Sequence, residues 1–153
     1  MINLYTYETI IGNITLYEEF GLLCKLSFGK IQCEKDENYN ETVTLKNAYR
    51  ELDEYFNRKR KSFDIKLNLK GTEFQKSVWY ELMKIPYGET RCYCDIAKNI
   101  KKPLAYRAVG LANNRNPLPI FIPCHRVIGK NGCLTGYKDG LYLKQFLLDL
   151  EKQ

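Results

Sequence analysis

The sequence predicts an α+β chain in two parts: a small unit with antiparallel strands over residues 1–69, then a mostly helical domain with a helix-turn-helix over residues 70–153. Three observations predict it. The first 35 residues are rich in β-branched and aromatic side chains broken by short turn signals. From position 72 onward, apolar residues recur at helical spacing. Charge divides at the same place: residues 1–69 hold 10 Lys and Arg against 11 Asp and Glu, and residues 70–153 hold 14 against 7. A basic half beside a near-neutral half suits a phosphate-binding surface. A solvated lysine-rich surface has the same composition, so charge alone does not decide.

The elements follow in order. Tyr5, Tyr7 and Ile11, then Ile14-Thr15-Leu16-Tyr17, read as two strands joined at Gly12-Asn13. Glu18-Glu19-Phe20-Gly21 is a second turn, and Leu22 to Phe28 a third strand ended by Gly29; the polar stretch 34–40 reads as loop. Val43, Leu45, Ala48, Leu52, Tyr55 and Phe56 share one face of a helix over residues 42–57. Phe63, Ile65 and Leu67 alternate with polar residues as a short strand. In the second part, Thr72 and Gln75 form a capping box, followed by an apolar stripe of Phe74, Val78, Leu82 and Ile85 with Trp79 beside it. Pro86-Tyr87-Gly88 ends that helix. Short helices over 95–100 and 104–113, joined by Lys101-Lys102-Pro103, fit a helix-turn-helix, though most helix pairs bind nothing. The stretch 141–150 reads as a final helix with Leu143, Phe146, Leu147 and Leu150 inward.

Composition narrows the function classes. No run approaches the roughly 18 apolar residues of a membrane span, and the first residues lack the basic start and apolar core of a signal peptide. A cytoplasmic protein with no membrane partner is expected. The six cysteines then read as thiols. Cys92-Tyr93-Cys94 is tighter than the spacing of zinc pairs, and His125 is the one histidine, so no metal site is expected.

One segment carries chemistry. Pro117-Leu118-Pro119-Ile120-Phe121-Ile122-Pro123-Cys124-His125-Arg126-Val127 is an apolar run framed by prolines that ends on Cys-His-Arg. A thiolate is the nucleophilic form of cysteine, an adjacent histidine can take its proton, and a carboxylate can orient the histidine. Glu151, Glu89 and Asp139 are the candidates for that third role. A packed, inert cysteine would look the same by this test alone.

Pro123-Cys124-His125-Arg126-Val127 resembles the active-site signature of the methylated-DNA–protein-cysteine methyltransferases, the O6-alkylguanine-DNA alkyltransferases. The likeness extends from Gly71-Thr72-Glu73-Phe74-Gln75 and Ile85-Pro86-Tyr87-Gly88-Glu89-Thr90, through Tyr93, Ile96-Ala97, Arg107-Ala108-Val109-Gly110 and Asn116-Pro117, to Gly136-Tyr137, Lys144 and Leu147-Leu148. It covers about residues 71–151; the first 70 residues agree only in general pattern.

The resemblance implies a ribonuclease H-like N-terminal unit and a C-terminal domain that binds DNA and accepts an alkyl group. Cys124 would be the acceptor, His125 its base through a bound water, and Glu151 the group that steadies His125. Asn116 would belong to the hinge between recognition helix and active-site loop. Tyr137 would donate a hydrogen bond to the departing guanine. Arg107 would fill the gap left by the extruded base, and Tyr93 would crowd the neighbouring phosphate. Ala105 and Arg126 would also face DNA, and Pro119, Val127 and Lys138 would line the base pocket. The implied partner is double-stranded DNA bearing O6-alkylguanine, with O4-alkylthymine a second lesion. The implied protein is a cytoplasmic monomer that needs no cofactor and, in a prokaryote, is nucleoid-associated through its DNA binding. Lys138-Asp139-Gly140 stands where many relatives carry a small residue and glycines, so a narrowed entrance and slower reaction of bulky adducts are expected.

Two rivals remain. A lesion-binding protein without transfer chemistry would lack the cysteine, and Cys124 is present. A cysteine hydrolase would normally draw its histidine from a distant position.

Overall fold

The computed structural model describes residues 1–134, 137 and 140–152. The α+β order expected from the sequence is present, with sheet first and helices after it. The chain divides into two compact units, Met1–Leu69 and Lys70–Gln153.

In the first unit, strands β1 (Ile2–Thr9), β2 (Gly12–Glu19), β3 (Leu22–Phe28) and β4 (Glu37–Tyr39) form one sheet in the order β3-β2-β1-β4. The β1–β2 and β2–β3 pairs are antiparallel, and β4 runs parallel to β1. The first hairpin closes two residues earlier than Gly12-Asn13 suggests. Thr9 pairs with Gly12, leaving Ile10 and Ile11 as the turn. The Thr9 hydroxyl donates to the Gly12 carbonyl and accepts from Ile11 N, while Gly12 takes the left-handed backbone at φ 97°. The short strand β4 lies inside the stretch read as loop.

Helix α1 (Val43–Phe56) begins at Thr42, whose hydroxyl accepts from Leu45 N. Leu45, Ala48, Leu52 and Tyr55 are fully buried, and α1 packs on β1, β2 and β3 above Leu4, Ile14, Leu16 and Leu23. Each such aliphatic side chain contributes about 1.5–3 kcal/mol. Val43, expected on the same face, is exposed in the first turn. Glu51 is buried among them because its carboxylate accepts from Asp64 N and Ile65 N, which fastens the following segment to the helix. That segment makes only an isolated bridge, Leu23 to Leu67, and not the strand its alternation predicts.

In the second unit, helix α2 (Glu73–Leu82) carries the full capping box: Gln75 N donates to Thr72 Oγ1, and Thr72 N donates to Gln75 Oε1. Gly71 lies against Trp79, since a Cβ there would stand 2.7 Å from the indole ring. The indole Nε1 donates to the Ala112 carbonyl at 2.9 Å, so a buried Trp keeps a partner. Strand β5 (Arg91–Cys92) leads into α3 (Tyr93–Asn99). That helix starts two residues earlier than expected, because Asp95 acts from inside the first turn by accepting from Cys92 N. Lys101, at φ 64°, turns the chain toward α4 (Tyr106–Asn114). A 3₁₀ turn, Cys124–Arg126, runs into β6 (Val127–Ile128), which pairs parallel with β5. This pairing sets the start of α3 beside the Cys-His-Arg turn. Helix α5 (Leu141–Leu150) packs against the same turn. Among the described residues no helix is long and apolar enough to cross a membrane.

Candidate active site

The loop before Cys124 is held by one asparagine. Asn116 is buried, donates from Nδ2 to the Ile122 carbonyl at 2.8 Å, and accepts from Leu118 N at 2.9 Å. The backbone closes further through Ile122 N to Leu118 O and Cys124 N to Ile122 O. Ile120, at φ 76°, sits in the left-handed region that β-branched residues rarely enter. Its side chain is nonetheless packed in the core at 1 % exposure. Prolines at 117, 119 and 123 fix φ along the loop, so the apolar run that ends on Cys124 has little freedom.

Cys124 is buried at 4 % exposure, and the Asn113 side chain donates to its carbonyl at 3.4 Å. His125 is fully buried. Its Nε2 stands 2.7 Å from Glu151 Oε2. A carboxylate can only accept, which assigns the proton to Nε2 and leaves Nδ1 as the basic nitrogen. Nδ1 has no hydrogen-bond partner among the described residues. Of the three carboxylates the sequence leaves open, Glu89 pairs with Arg91 instead, and Asp139 lies outside the described residues.

Arg126 is a correction. Expected to face DNA, it is buried, with Nε and Nη2 on the two oxygens of Glu151 at 2.8 and 3.0 Å and Nη1 on the Ile85 carbonyl at 2.7 Å. A guanidinium needs hydrogen-bonded company once buried, and the fork of Glu151 matches it bidentately. Gly88 N also donates to Glu151 Oε1, at 3.2 Å. Burial alone would raise the Glu151 carboxyl, but hydrogen bonds and charge from His125 and Arg126 hold it well below the usual carboxylate range. Burial pushes His125 below its ordinary value; Glu151 pulls the other way, and the charges of Arg126 and Lys144 add to the burial. The site therefore rests with an anionic Glu151 and a neutral His125.

The remaining site residues divide by place. Val127 and Pro119 are buried near Cys124 in sequence, and Tyr137 is buried at 8 % exposure. Lys138 lies outside the described residues. Arg107 is exposed on the first turn of α4, and Ala105, just before it, is half-buried. The Tyr93 ring lies along α4, where a Cβ at Gly110 would meet it at 3.9 Å. Exposed Lys98, Lys101 and Lys102 add positive charge to the turn between the two helices, and Leu104 projects there at 90 % exposure. Among the described residues no three His, Cys, Asp or Glu side chains group closely enough to hold a metal ion.

Two features carry no role in the sequence reading. Asn113 gives no signal. Lys144 does give one, a lysine among the apolar positions of the last helix, and the structure buries it completely.

Comparison with known proteins fits this geometry. The family model described as "6-O-methylguanine DNA methyltransferase, DNA binding domain" matches residues 73–153, and the one described as its "ribonuclease-like domain" matches residues 3–69. A methylated-DNA–protein-cysteine methyltransferase of Methanosarcina barkeri is 64% identical over 148 residues, covering 95% of this chain and 94% of that protein. Its namesake in Methanosarcina acetivorans is 54% identical over 148 residues, covering 95% of each. The crystal structure of Mycobacterium tuberculosis OGT in complex with DNA matches with a TM-score of 0.92 at 43% identity, covering 98% of this chain and 92% of that one. With both of its domains matched, and relatives this similar along nearly its whole length, the chain belongs to the 6-O-methylguanine DNA methyltransferase family.

Proposed function

We propose that this protein repairs O6-alkylguanine in double-stranded DNA by one irreversible transfer of the alkyl group to Cys124. The observation that carries the reading is Cys124 and His125 side by side on one buried turn, with Glu151 at the end of α5 standing 2.7 Å from His125 Nε2. The family membership and the basic second unit support it.

The alkyl group on a guanine oxygen lies inside the duplex, so the nucleotide must be turned out before it can react. Unstacking costs a few kcal/mol, and less for a poorly paired base. Arg107 occupies the hole and offsets part of that cost. Tyr93 crowds the adjacent phosphate, Ala105 lies against the backbone, and the exposed lysines supply sequence-independent affinity. Pro119 and Val127 line the receiving pocket, which Asn116 holds in register with α4.

His125 Nδ1 takes the thiol proton through a water, and Glu151 keeps the imidazole in the required tautomer. The sulfur lone pair forms the S–C bond in line. The C–O6 bond breaks with its electron pair on guanine, which leaves as an anion, stabilised by a hydrogen bond from Tyr137, and is protonated. A thioether is stable and no step restores the thiol, so each molecule acts once. Displacement at a saturated carbon by a thiolate needs no cofactor. O4-alkylthymine presents the same linkage and is the second substrate. The protein acts as a cytoplasmic monomer on the nucleoid.

Incubation with duplex containing O6-methylguanine, followed by mass spectrometry of the Cys124 peptide, tests this. One added methyl and no turnover beyond one equivalent is expected. Tight lesion binding with an unmodified Cys124 would establish the lesion-binding alternative, and multiple turnovers would establish a hydrolase. Cys124→Ala keeps DNA affinity and takes up no alkyl.

A further inference from the structure

The cationic turn between α3 and α4 carries an apolar tip. Lys98, Lys101 and Lys102 are exposed there, Arg107 is exposed on the first turn of α4, and Leu104 stands among them at 90 % exposure, the most exposed large apolar side chain among the described residues. A leucine scattered singly on a protein surface needs no explanation. This one is held out by a braced turn. Lys102 N donates to the Ala97 carbonyl and Ala105 N to the Lys102 carbonyl, each at 2.9 Å. The Lys102 ammonium lies 5.4 Å from the centre of the Phe74 ring, which ties the turn to α2. Pro103 fixes its own φ, and Lys101 takes φ 64°, a left-handed backbone that non-glycine residues enter only at a cost. Behind the tip, α4 buries Val109, Ala112 and Asn113 and turns Ala108 and Leu111 outward beside Arg107. In the free protein, apolar surface held out in this way is left in water and gains nothing.

An opened base step of a duplex is the complement of such a tip. It is a slot between two apolar base faces, with phosphates along both strands. A leucine fits the slot, and the surrounding ammonium groups fit the phosphates. We propose that Leu104 is a second wedge, which enters the base step next to the nucleotide that leaves the stack, while Arg107 fills the place that nucleotide vacates. This rests on the repair reading and on Arg107 standing at the hole, and it deepens both. Leu104 precedes Arg107 by three residues, so the two leave the start of α4 as neighbours and reach separate places along the strand. Their chemistry divides the work. A guanidinium can hydrogen-bond to the base left without a partner. An aliphatic side chain serves only between base faces, which it keeps from closing. Leu104 is therefore a positioning residue for extrusion and takes no part in the transfer.

Duplex with 2-aminopurine beside O6-methylguanine tests this, because the fluorescence of 2-aminopurine rises when its stacking is lost. In a Cys124→Ala background, which holds the complex before transfer, Leu104→Ala is expected to remove most of the rise. With Cys124 restored, Leu104→Ala slows single-turnover methyl transfer from duplex about tenfold and leaves the reaction with free O6-alkylguanine base unchanged. Leu104→Met keeps both. Leu104→Lys separates the wedge from simple charge. It steepens the salt dependence of binding by about one phosphate contact and holds undamaged duplex more tightly, yet repairs slowly. Because the side chain is exposed, these substitutions take no packing from the fold. An unchanged fluorescence rise in Leu104→Ala overturns the wedge, as does a duplex rate within about twofold of wild type. A Leu104→Lys protein that repairs as fast as wild type overturns it too. If the wild type gives the rise, Leu104→Ala loses it, and Cys124 still takes no methyl from damaged duplex, the repair reading fails and the wedge stands.

Discussion

Glu151→Gln tests what holds the buried site together. In the wild type, Oε1 accepts from Arg126 Nε at 2.8 Å and Gly88 N at 3.2 Å, and Oε2 accepts from His125 Nε2 at 2.7 Å and Arg126 Nη2 at 3.0 Å. Whichever way the amide of Gln turns, its NH₂ faces two N–H donors, and the buried guanidinium loses its countercharge. Removing one member of a buried pair costs about 3–5 kcal/mol. Urea unfolding at neutral pH should show a loss of that size, carried by the midpoint with an unchanged slope. The pH dependence has a definite sign. The folded Glu151 carboxyl lies below its ordinary value of 4.5, so its stabilisation is complete above that value and is lost as pH falls below it. The gap between wild type and variant therefore narrows on acidification from about pH 5 downward. Pairing Glu151→Gln with Arg126→Met removes the orphaned charge and should regain part of the loss. A variant within about 1 kcal/mol of wild type, with a gap indifferent to acid, would refute the reasoning.

Two further predictions concern the periphery of the site and the fold. Arg107→Ala should slow repair in duplex DNA while leaving reaction with free O6-alkylguanine base nearly unchanged, because the exposed side chain acts only where a hole must be filled; equal losses on both substrates, compared by single-turnover kinetics, would remove it from that role. Thr72→Ala deletes the hydroxyl that caps α2 and should cost about 1 kcal/mol in urea unfolding without altering the alkylation rate of the surviving folded protein.

Much of the fold was legible because its signals are local. Alternation marked the three antiparallel strands, the Thr72–Gln75 box marked a helix start, and the 45-48-52-55 stripe marked the face that packs on the sheet. Strand β4 was not legible: three polar residues join β1 through backbone bonds, which leave no periodicity in the side chains. The strand expected near Ile65 failed for the converse reason, since its amides are taken by the Glu51 carboxylate rather than by a full ladder. At the site, Cys124 and His125 stand out by adjacency, but the partner of His125 is 26 residues away, and no spacing distinguishes Glu151 from Glu89. Arg126 misleads for the same reason. The resemblance sets it facing DNA, and only the fold reveals the carboxylate that draws it inward.

The left-handed Ile120 has a consequence for evolution under heat. Glycine would adopt that backbone with ease, where isoleucine bears roughly 1–3 kcal/mol of strain. Isoleucine persists because its side chain fills the core, a gain of about 1.5–3 kcal/mol that glycine forfeits. Deleting the side chain would also open a cavity and add freedom to the unfolded chain, so a library selected for thermal survival would keep isoleucine here and hold the strained backbone in place. Selection for heat and selection for a firmly delivered sulfur therefore act on the same residue, and a loop kept for the sake of the fold stays rigid for the sake of the reagent.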